Sequence, residues 1–415
     1  MDVEIITIGD ELLIGQVVDT NSAFMATLLN DNGFRVIRKT TIGDEEDDII
    51  AAIDAARQRA RIILVTGGLG PTKDDITLRT LCRYFNCQLH FSEEVYANIE
   101  RIFQKRGRTM NPLTRNQAMV PNHSTVIQNQ VGTAPCTWFE KDEMVLVSMP
   151  GVPGEMEWLM TNEIVPRLKN KYQQDIHIQH QTSWVTGYSE SELAMILSDF
   201  EQNMPPFVKL AYLPQLGIIR LRLSAYAKTK EEAEAEKAIA ILQTQLKQLL
   251  KEHLIVETNE SIEALVGDLL RTQKKTVGTA ESCTGGNIAA LLTSIAGSSD
   301  YFMGSIVSYT NSVKNQVLGV SENDLKTYGA VSKQVVEQMA QGALNVLGCD
   351  YAIATSGIAG PGGGTPEKPV GTIWIAVACK NRVISEVHHF NMGRTQNIKR
   401  TVNFALLLLL QEISE

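Results

Sequence analysis

The chain has 415 residues, of which 44% are hydrophobic, so it is long enough to form two or three packed domains. Its formal net charge of −9 at pH 7 argues against a surface dedicated to binding nucleic acid. The acidic start Met1-Asp2-Val3-Glu4 does not resemble a secretory signal, and the leucine run 406–410 is too short to span a bilayer. The cysteines show no CxxC spacing, which suits a reducing compartment. We therefore expect a cytoplasmic protein with no membrane or nucleic-acid partner.

Strand and helix patterns alternate through the first 65 residues. An apolar strand runs into a turn at Gly9-Asp10-Glu11, and a helix is expected to begin at 19–22 and end near 30–33. Residues 34–39 and 61–65 have strand patterns, and 46–59 has the pattern of an amphipathic helix. This alternation predicts a parallel α/β sheet.

Polar and acidic residues follow the first and third of these strands. Ligands of open α/β sheets bind beyond the carboxyl ends of the strands, so both turns should face one crevice. Backbone next to glycine can approach a phosphate closely, and carboxylates suit a hard divalent cation. The candidate nucleotide-binding residues are Gly67, Gly68, Gly70, Thr72 and Asn21, and the candidate metal ligands are Asp10, Glu11, Asp74 and Asp75. Taken singly, each acid could instead cap a helix.

The segments 9–15, 19–21 and 66–75, together with Val131-Gly132-Thr133-Ala134-Pro135 and the segment 149–156, resemble the molybdopterin-binding fold found at the N-terminus of CinA proteins. The resemblance implies a three-layer α/β/α domain over residues 1–172. It also implies hydrolysis of ADP-ribose to AMP and ribose 5-phosphate with a divalent cation of unspecified identity. The alternative is a regulatory module that binds a pterin or nucleotide without turnover. Cys136 stands where relatives commonly carry glycine.

Residues 173–256 differ from the flanking regions in their pattern of apolar and charged residues. A helix opens after a strand at 186–194, residues 218–225 alternate as a half-buried strand would, and 229–252 has the pattern of a long helix of mixed charge. We expect a small α+β module that connects two catalytic domains.

The segment Ala280-Glu281-Ser282-Cys283-Thr284-Gly285-Gly286 follows a short apolar run and precedes a helical pattern. A hydroxyl held at such a turn lies close to the free backbone N–H groups of a helix start, which suits a nucleophile whose reaction builds negative charge on oxygen. Ser282 or Thr284 could equally act only as a helix cap. Lys314 offers a base if burial keeps its amine neutral.

The segment 282–286, the Tyr309–Lys314 stretch, the glycine-rich loop 355–365 and Lys368-Pro369-Val370-Gly371-Thr372 resemble the CinA C-terminal domain, the nicotinamide mononucleotide deamidases. The resemblance covers residues 257–415 and implies hydrolysis of the nicotinamide carboxamide without a cofactor, with the protein as a homodimer. It assigns Ser282 as the nucleophile, Lys314 as its base and Tyr309 as their support. The implied substrate-binding residues are Thr284, Gly285, Gly286, Ser356, Gly357, Gly360 and Arg394.

Two rivals to these assignments remain open. Cys283 is intrinsically the stronger nucleophile, although no sequence pattern pairs it with a histidine. Arg400 competes with Arg394 as the phosphate ligand, because Gly393 stands where relatives often have an acidic or amide residue.

Overall fold

A computed structural model describes residues 1–70, 72, 75–172, 176–228 and 231–414, apart from the side chains of residues 176 and 177. The chain forms two compact units, one of residues 1–179 with 225–237 and the other of residues 180–224 with 238–415. Asp74, one of the candidate metal ligands, lies outside the described residues.

The N-terminal part of the first unit alternates strands and helices. In chain order its elements are β1 (Asp2–Ile8), α1 (Asp10–Leu13), α2 (Thr20–Asp31), β2 (Arg35–Ile42), α3 (Glu46–Arg57), β3 (Ile62–Thr66), α4 (Thr77–Tyr84), β4 (Leu89–Phe91), α5 (Glu93–Lys105), α6 (Pro112–Asn116), β5 (Met119–Pro121), β6 (Thr125–Ile127), β7 (Cys136–Lys141), β8 (Met144–Met149), α7 (Pro153–Leu159) and α8 (Val165–Lys171), with a π-helical turn between the last two.

Six of these strands form one sheet in the order β2-β1-β3-β8-β7-β6. The strands β2, β1, β3 and β8 are parallel, as the alternating pattern predicts. The other two strands lie beyond the segment from which the parallel sheet was predicted, and β7 pairs antiparallel with both β8 and β6. Short connections join β6 to β7 and β7 to β8, and these suffice only for antiparallel neighbours.

Helices cover both faces of this sheet. Successive side chains of a strand point to opposite faces, so Ile5 packs with Met25 of α2 and Met156 of α7, whereas Ile6 packs with Ile53 of α3. The domain is therefore a three-layer α/β/α sandwich, as expected.

The connecting segment contains β9 (Ile176–Val185), α9 (Glu190–Ile196), α10 (Ser198–Gln202), β10 (Val208–Gln215), β11 (Ile218–Lys228), α11 (Glu232–Leu250), a 3₁₀ turn (Lys251–His253) and β12 (Leu254–Glu257). Its strands form a sheet in the order β10-β11-β9-β12. Ser189 caps α9 through a capping box with Glu192. The predicted strand at 218–225 and the predicted long helix correspond to β11 and α11.

The C-terminal part of the second unit contains α12 (Ile262–Gln273), β13 (Val277–Glu281), α13 (Asn287–Thr293), a 3₁₀ turn (Ser298–Asp300), β14 (Phe302–Val307), α14 (Asn311–Gln316), α15 (Glu322–Thr327), α16 (Lys333–Leu347), β15 (Tyr351–Gly357), β16 (Thr372–Cys379), β17 (Arg382–His389) and α17 (Arg394–Ser414). Its five strands follow the order β14-β13-β15-β16-β17, with β13 parallel to both of its neighbours.

This second sheet is also covered on both faces. The leucine run 406–410 is buried with helices α12 and α13 against one face, as expected for a core helix. On the other face α16 packs against alanines such as Ala280, Ala352 and Ala376, whose small side chains let the helix lie close to the strands. Within the described part of the chain, no helix is both long enough and apolar enough for a bilayer span.

Candidate functional site

The candidate nucleophile and base of the C-terminal domain are in direct contact. The strands β13, β14 and β15 run parallel, so the residues that follow them emerge at one edge of the sheet. Ser282 follows β13, and its N–H donates to the carbonyl of Thr355 in β15 at 3.0 Å. Lys314 on α14, which follows β14, places its Nζ 3.0 Å from Ser282 Oγ.

Lys314 is almost completely buried, with 1% of its surface exposed. Its Nζ also donates to the Ser308 carbonyl at 2.6 Å and lies 3.5 Å from the Tyr309 carbonyl. No carboxylate of the described residues forms an ion pair with it. Burial therefore lowers the pKa of the Lys314 amine, because the charged form loses its hydration. This environment favours the neutral amine that a general base requires.

Burial has the opposite effect on the pKa of the rival nucleophile, Cys283, because its charged form is the one without the proton. Its side chain is buried, and burial raises the pKa of its thiol to about 12, with the nearby Glu281 carboxylate adding to the rise. The thiolate is the reactive form of cysteine. The geometry therefore favours Ser282, whose side chain is partly exposed and touches the lysine.

The turn after Ser282 depends on two glycines in the left-handed region, Gly285 with φ 61° and Gly286 with φ 99°. The expectation that the helix start beyond them offers free N–H groups is wrong for three residues. The buried carboxylate of Glu281 accepts from the N–H groups of Gly286 at 2.9 Å, Ile288 at 3.1 Å and Ala289 at 2.9 Å. The sequence reasoning missed Glu281, because a carboxylate inside an apolar strand gave no sign of which donors it would reach.

One backbone N–H group of the turn, that of the exposed Gly285, remains available to a ligand. Among the described residues, no acceptor bonds the N–H of Thr284 or that of Gly285. The Thr284 hydroxyl is already paired with that of Thr355 at 2.7 Å inside the protein. Thr284 is fully buried as well, so neither its hydroxyl nor its N–H group is exposed to a substrate.

The glycine-rich loop is anchored beside this turn. Arg394, at the start of α17, donates to the Gly360 carbonyl at 3.0 Å and to the Tyr309 hydroxyl at 3.3 Å. Asn397, fully buried, donates to the Ala359 carbonyl at 3.0 Å. A Cβ at position 357 would lie 2.9 Å from the Ile373 backbone, so Gly357 permits the packing of the loop.

The side chains of two other candidate residues contact other parts of the protein. The Ser356 hydroxyl is buried and donates to the Ala330 carbonyl at 2.7 Å, so it secures a neighbouring loop. The guanidinium of Arg400 lies over the Phe390 ring, 4.6 Å from its centroid. Arg394 is exposed and contacts Tyr309 and Gly360, which favours it over Arg400 as an anion ligand.

A crevice of about 400 Å³ lies at the carboxyl edge of the N-terminal sheet. Both predicted turns reach it, as expected from the parallel strands. Its lining includes Gly67, Gly68, Gly70, Asn21, Glu11 and Asp75, and adds Asp44, which the sequence reasoning missed.

Asn21 is fixed at the wall of this crevice. Its Nδ2 donates to the Gly151 carbonyl at 2.8 Å, while its buried Oδ1 has no partner among the described residues. Asp10 adjoins the crevice at the start of α1. Its N–H donates to the Asp44 carboxylate at 3.0 Å, and the pKa of Asp44 is raised by burial and by the charges of Asp10, Glu11 and Asp75.

The Asp75 carboxylate accepts hydrogen bonds from its own loop. It accepts from the Gly70 N–H at 2.6 Å and from the N–H and hydroxyl of Thr72 at 2.8 and 2.5 Å. No group of three or more His, Cys, Asp or Glu residues in the described ranges is arranged to hold a metal ion. Of the candidate ligands, Glu11 and Asp75 line the crevice with Asp44, and Asp10 adjoins it through its hydrogen bond to Asp44.

Three family models match the chain in sequence order. Residues 4–170 match the model described as "Probable molybdopterin binding domain", residues 180–255 the "Damage-inducible protein CinA KH domain", and residues 259–413 the "CinA C-terminal domain".

Relatives match over nearly the whole length. A CinA-like protein of Cytophaga hutchinsonii is 41% identical over 99% of this chain and 98% of its own, and one of Flavobacterium psychrophilum is 42% identical over 100% and 99%. Among solved structures, the competence/damage inducible protein CihA from Agrobacterium tumefaciens is 41% identical, with 38% of this chain and 98% of that chain covered and a TM-score of 0.36.

Proposed function

Because this chain belongs to the CinA family, we propose that its C-terminal domain, residues 257–415, is an amidase that converts nicotinamide mononucleotide to nicotinate mononucleotide and ammonia. The observation that carries the proposal is the 3.0 Å contact between Ser282 Oγ and the Nζ of the buried Lys314. An amide is a poor electrophile with a poor leaving group, so its hydrolysis needs an activated nucleophile, an oxyanion site and an acid for the amine.

The chain has a group for each of these tasks. Neutral Lys314 takes the proton of Ser282 Oγ as Oγ bonds to the carboxamide carbon, and the carbonyl π electrons move to its oxygen. The free N–H group of the exposed Gly285 donates to that oxygen. The protonated lysine then gives its proton to the amide nitrogen, the C–N bond breaks and ammonia leaves. Water, deprotonated by the same lysine, hydrolyses the resulting ester without any cofactor.

The remaining predicted residues suit the mononucleotide. The backbone of the loop around Gly357 and Gly360 can approach the ribose or phosphate closely. Arg394 is exposed beside that loop, and its guanidinium suits a phosphate. In this proposal Tyr309 supports the site by accepting from Arg394 and by offering its carbonyl to Lys314.

The direct test is ammonia release from nicotinamide mononucleotide by the full-length protein in the presence of a chelator. We expect release by the wild type and none above background by Ser282→Ala, with folding checked by thermal melting. Wild-type release by that variant would exclude Ser282 as the nucleophile.

For the N-terminal domain, residues 1–172, we propose hydrolysis of ADP-ribose to AMP and ribose 5-phosphate with a divalent cation. Its crevice offers oxygen donors only, which suit a hard cation. Mg²⁺ needs only one or two carboxylates when substrate phosphates and water complete its shell, so the absence of a three-carboxylate group among the described residues fits such a site. One or two of the carboxylates of Asp10, Glu11 and Asp44 would hold it. When bound, the cation would neutralise charge on the pyrophosphate.

One observation favours the alternative of a binding module without turnover. The Asp75 carboxylate already accepts three hydrogen bonds from its own loop, so it acts as a structural residue there. Calorimetry with ADP-ribose and a cleavage assay with Mg²⁺ or Mn²⁺ separate the two functions. Binding without AMP formation under either metal would establish the module.

The family resemblance also leads us to propose a cytoplasmic homodimer. Sedimentation velocity of the full chain tests the dimer directly, because a single monomer peak at micromolar concentration would contradict it.

A further inference from the structure

Glu281 is the last residue of β13 and precedes the candidate nucleophile. Its side chain is fully buried. One carboxylate oxygen, Oε2, accepts from the N–H groups of Gly286 and Ile288, and the other, Oε1, from the N–H of Ala289 and the hydroxyl of Thr279. No lysine or arginine of the described residues bonds to it, so four neutral donors satisfy this buried carboxylate.

The helix that receives these bonds has little stability of its own. The α13 helix has only seven residues, and its N-cap Gly286 has no side chain that could bond the first N–H groups. Short isolated helices are marginal in water, and unpaired N–H groups at a buried helix start are costly. Glu281 supplies the missing cap from the preceding strand.

The hydrogen bonds of Glu281 to the start of α13 constrain the turn residues between them, which include the candidate nucleophile. The segment from Ser282 to Gly285 lies between the carboxylate-bearing residue and the N–H groups that the carboxylate holds. Ser282 is further fixed because its N–H donates to the Thr355 carbonyl at 3.0 Å. In contrast, the N–H group of the exposed Gly285 has no acceptor among the described residues.

We propose that Glu281 is a positioning residue of the amidase, whose carboxylate fixes the turn so that Ser282 Oγ meets Lys314 and the exposed N–H group of Gly285 faces the substrate. The inference rests on the proposed amidase function. Glu281 acts through the turn and touches neither substrate nor reacting atoms.

The proposal predicts a loss in the chemical step more than in binding. Without the carboxylate, the N–H groups of Gly286, Ile288 and Ala289 would need new acceptors, and the turn would shift to find them. A misplacement of about 1 Å at a reacting group can cost on the order of 100-fold in rate. The loop around Gly360 and Arg394, which is expected to bind the nucleotide, is not bonded to Glu281 in the described residues.

The test compares Glu281→Gln with the matched control Thr279→Val. Glutamine keeps the shape of the side chain, but its amino group cannot accept and would face two donors. Valine at 279 also removes a buried hydrogen bond of Glu281, yet it leaves all three backbone bonds intact. Both variants are assayed with nicotinamide mononucleotide below their melting temperatures.

We expect Glu281→Gln to lower kcat about 100-fold and to change KM less than about threefold. The kcat of Thr279→Val should stay within about threefold of wild type, even where its Tm falls. A folded Glu281→Gln protein with wild-type kcat, an effect on KM alone, or an equal loss in Thr279→Val would overturn the proposal.

Amide hydrogen exchange on the wild type gives an independent measurement if Glu281→Gln does not fold. The amides of Gly286, Ile288 and Ala289 should exchange more slowly than that of Gly285, and equal rates would overturn the proposal. Wild-type protein that releases no ammonia would refute the amidase function, whereas the exchange rates would still report on the turn.

Discussion

Replacement of Lys314 by methionine removes the proposed base while keeping an unbranched side chain in its buried position. General base catalysis typically contributes about 10²- to 10⁴-fold, or about 3–5 kcal/mol of activation free energy. The Nζ that touches Ser282 Oγ is buried and has no carboxylate partner among the described residues, so its whole contribution should be lost. We expect kcat for ammonia release to fall by about 10²- to 10⁴-fold, with KM nearly unchanged.

The control is Lys326→Met, since the Lys326 side chain is 79% exposed and forms an ion pair with Glu322 on the surface. Its kcat should match that of the wild type. If Lys314→Met keeps kcat within about threefold, or if its effect is confined to KM, Lys314 is not the base.

The pH dependence gives a second readout of the same residue. The protonated amine cannot act as a base, so kcat should rise with pH as Lys314 loses its proton. Burial lowers the pKa of Lys314 from 10.5, and the midpoint of this rise should therefore lie below pH 10.5. Lys314→Arg should be inactive at every pH, because a guanidinium stays protonated.

Three further changes test the other assignments. Cys283→Ala should retain ammonia release within about threefold, because the buried thiol is not the nucleophile, whereas Ser282→Ala should abolish release. Loss of release in Cys283→Ala with retention in Ser282→Ala would make Cys283 the nucleophile. Arg394→Gln should raise KM about 10- to 100-fold through the loss of a charge-assisted bond to phosphate, and Arg400→Gln should not; steady-state kinetics decide between them. Asp44→Asn should lower ADP-ribose cleavage at least about tenfold and leave ammonia release unchanged; full cleavage by chelator-treated protein would exclude a cation.

The pairing of Ser282 with Lys314 could be predicted from the sequence through the family resemblance, and it fits the fold because the two residues follow the parallel strands β13 and β14. The carboxyl ends of such strands share an edge, which brings the two segments together. The N-terminal crevice could also be predicted, because the two turns that line it follow the neighbouring parallel strands β1 and β3.

Hydrogen-bond directions within these turns could not be predicted from the sequence. Glu281 occupies the helix N–H groups that the pattern suggested were free, and the Ser356 hydroxyl faces Ala330 instead of the site. Both outcomes depend on side-chain rotation within a packed interior, which spacing along the chain does not determine. Asp44 follows β2, so the carboxyl end of a third parallel strand also contributes a carboxylate to the crevice.

Ammonia release from nicotinamide mononucleotide by the purified full-length protein, with chelator present, tests the central claim most directly. We predict one ammonia for each nicotinate mononucleotide formed by the wild type and neither product from Ser282→Ala. Absence of both products with folded wild-type protein would contradict the assignment of the C-terminal domain as this amidase.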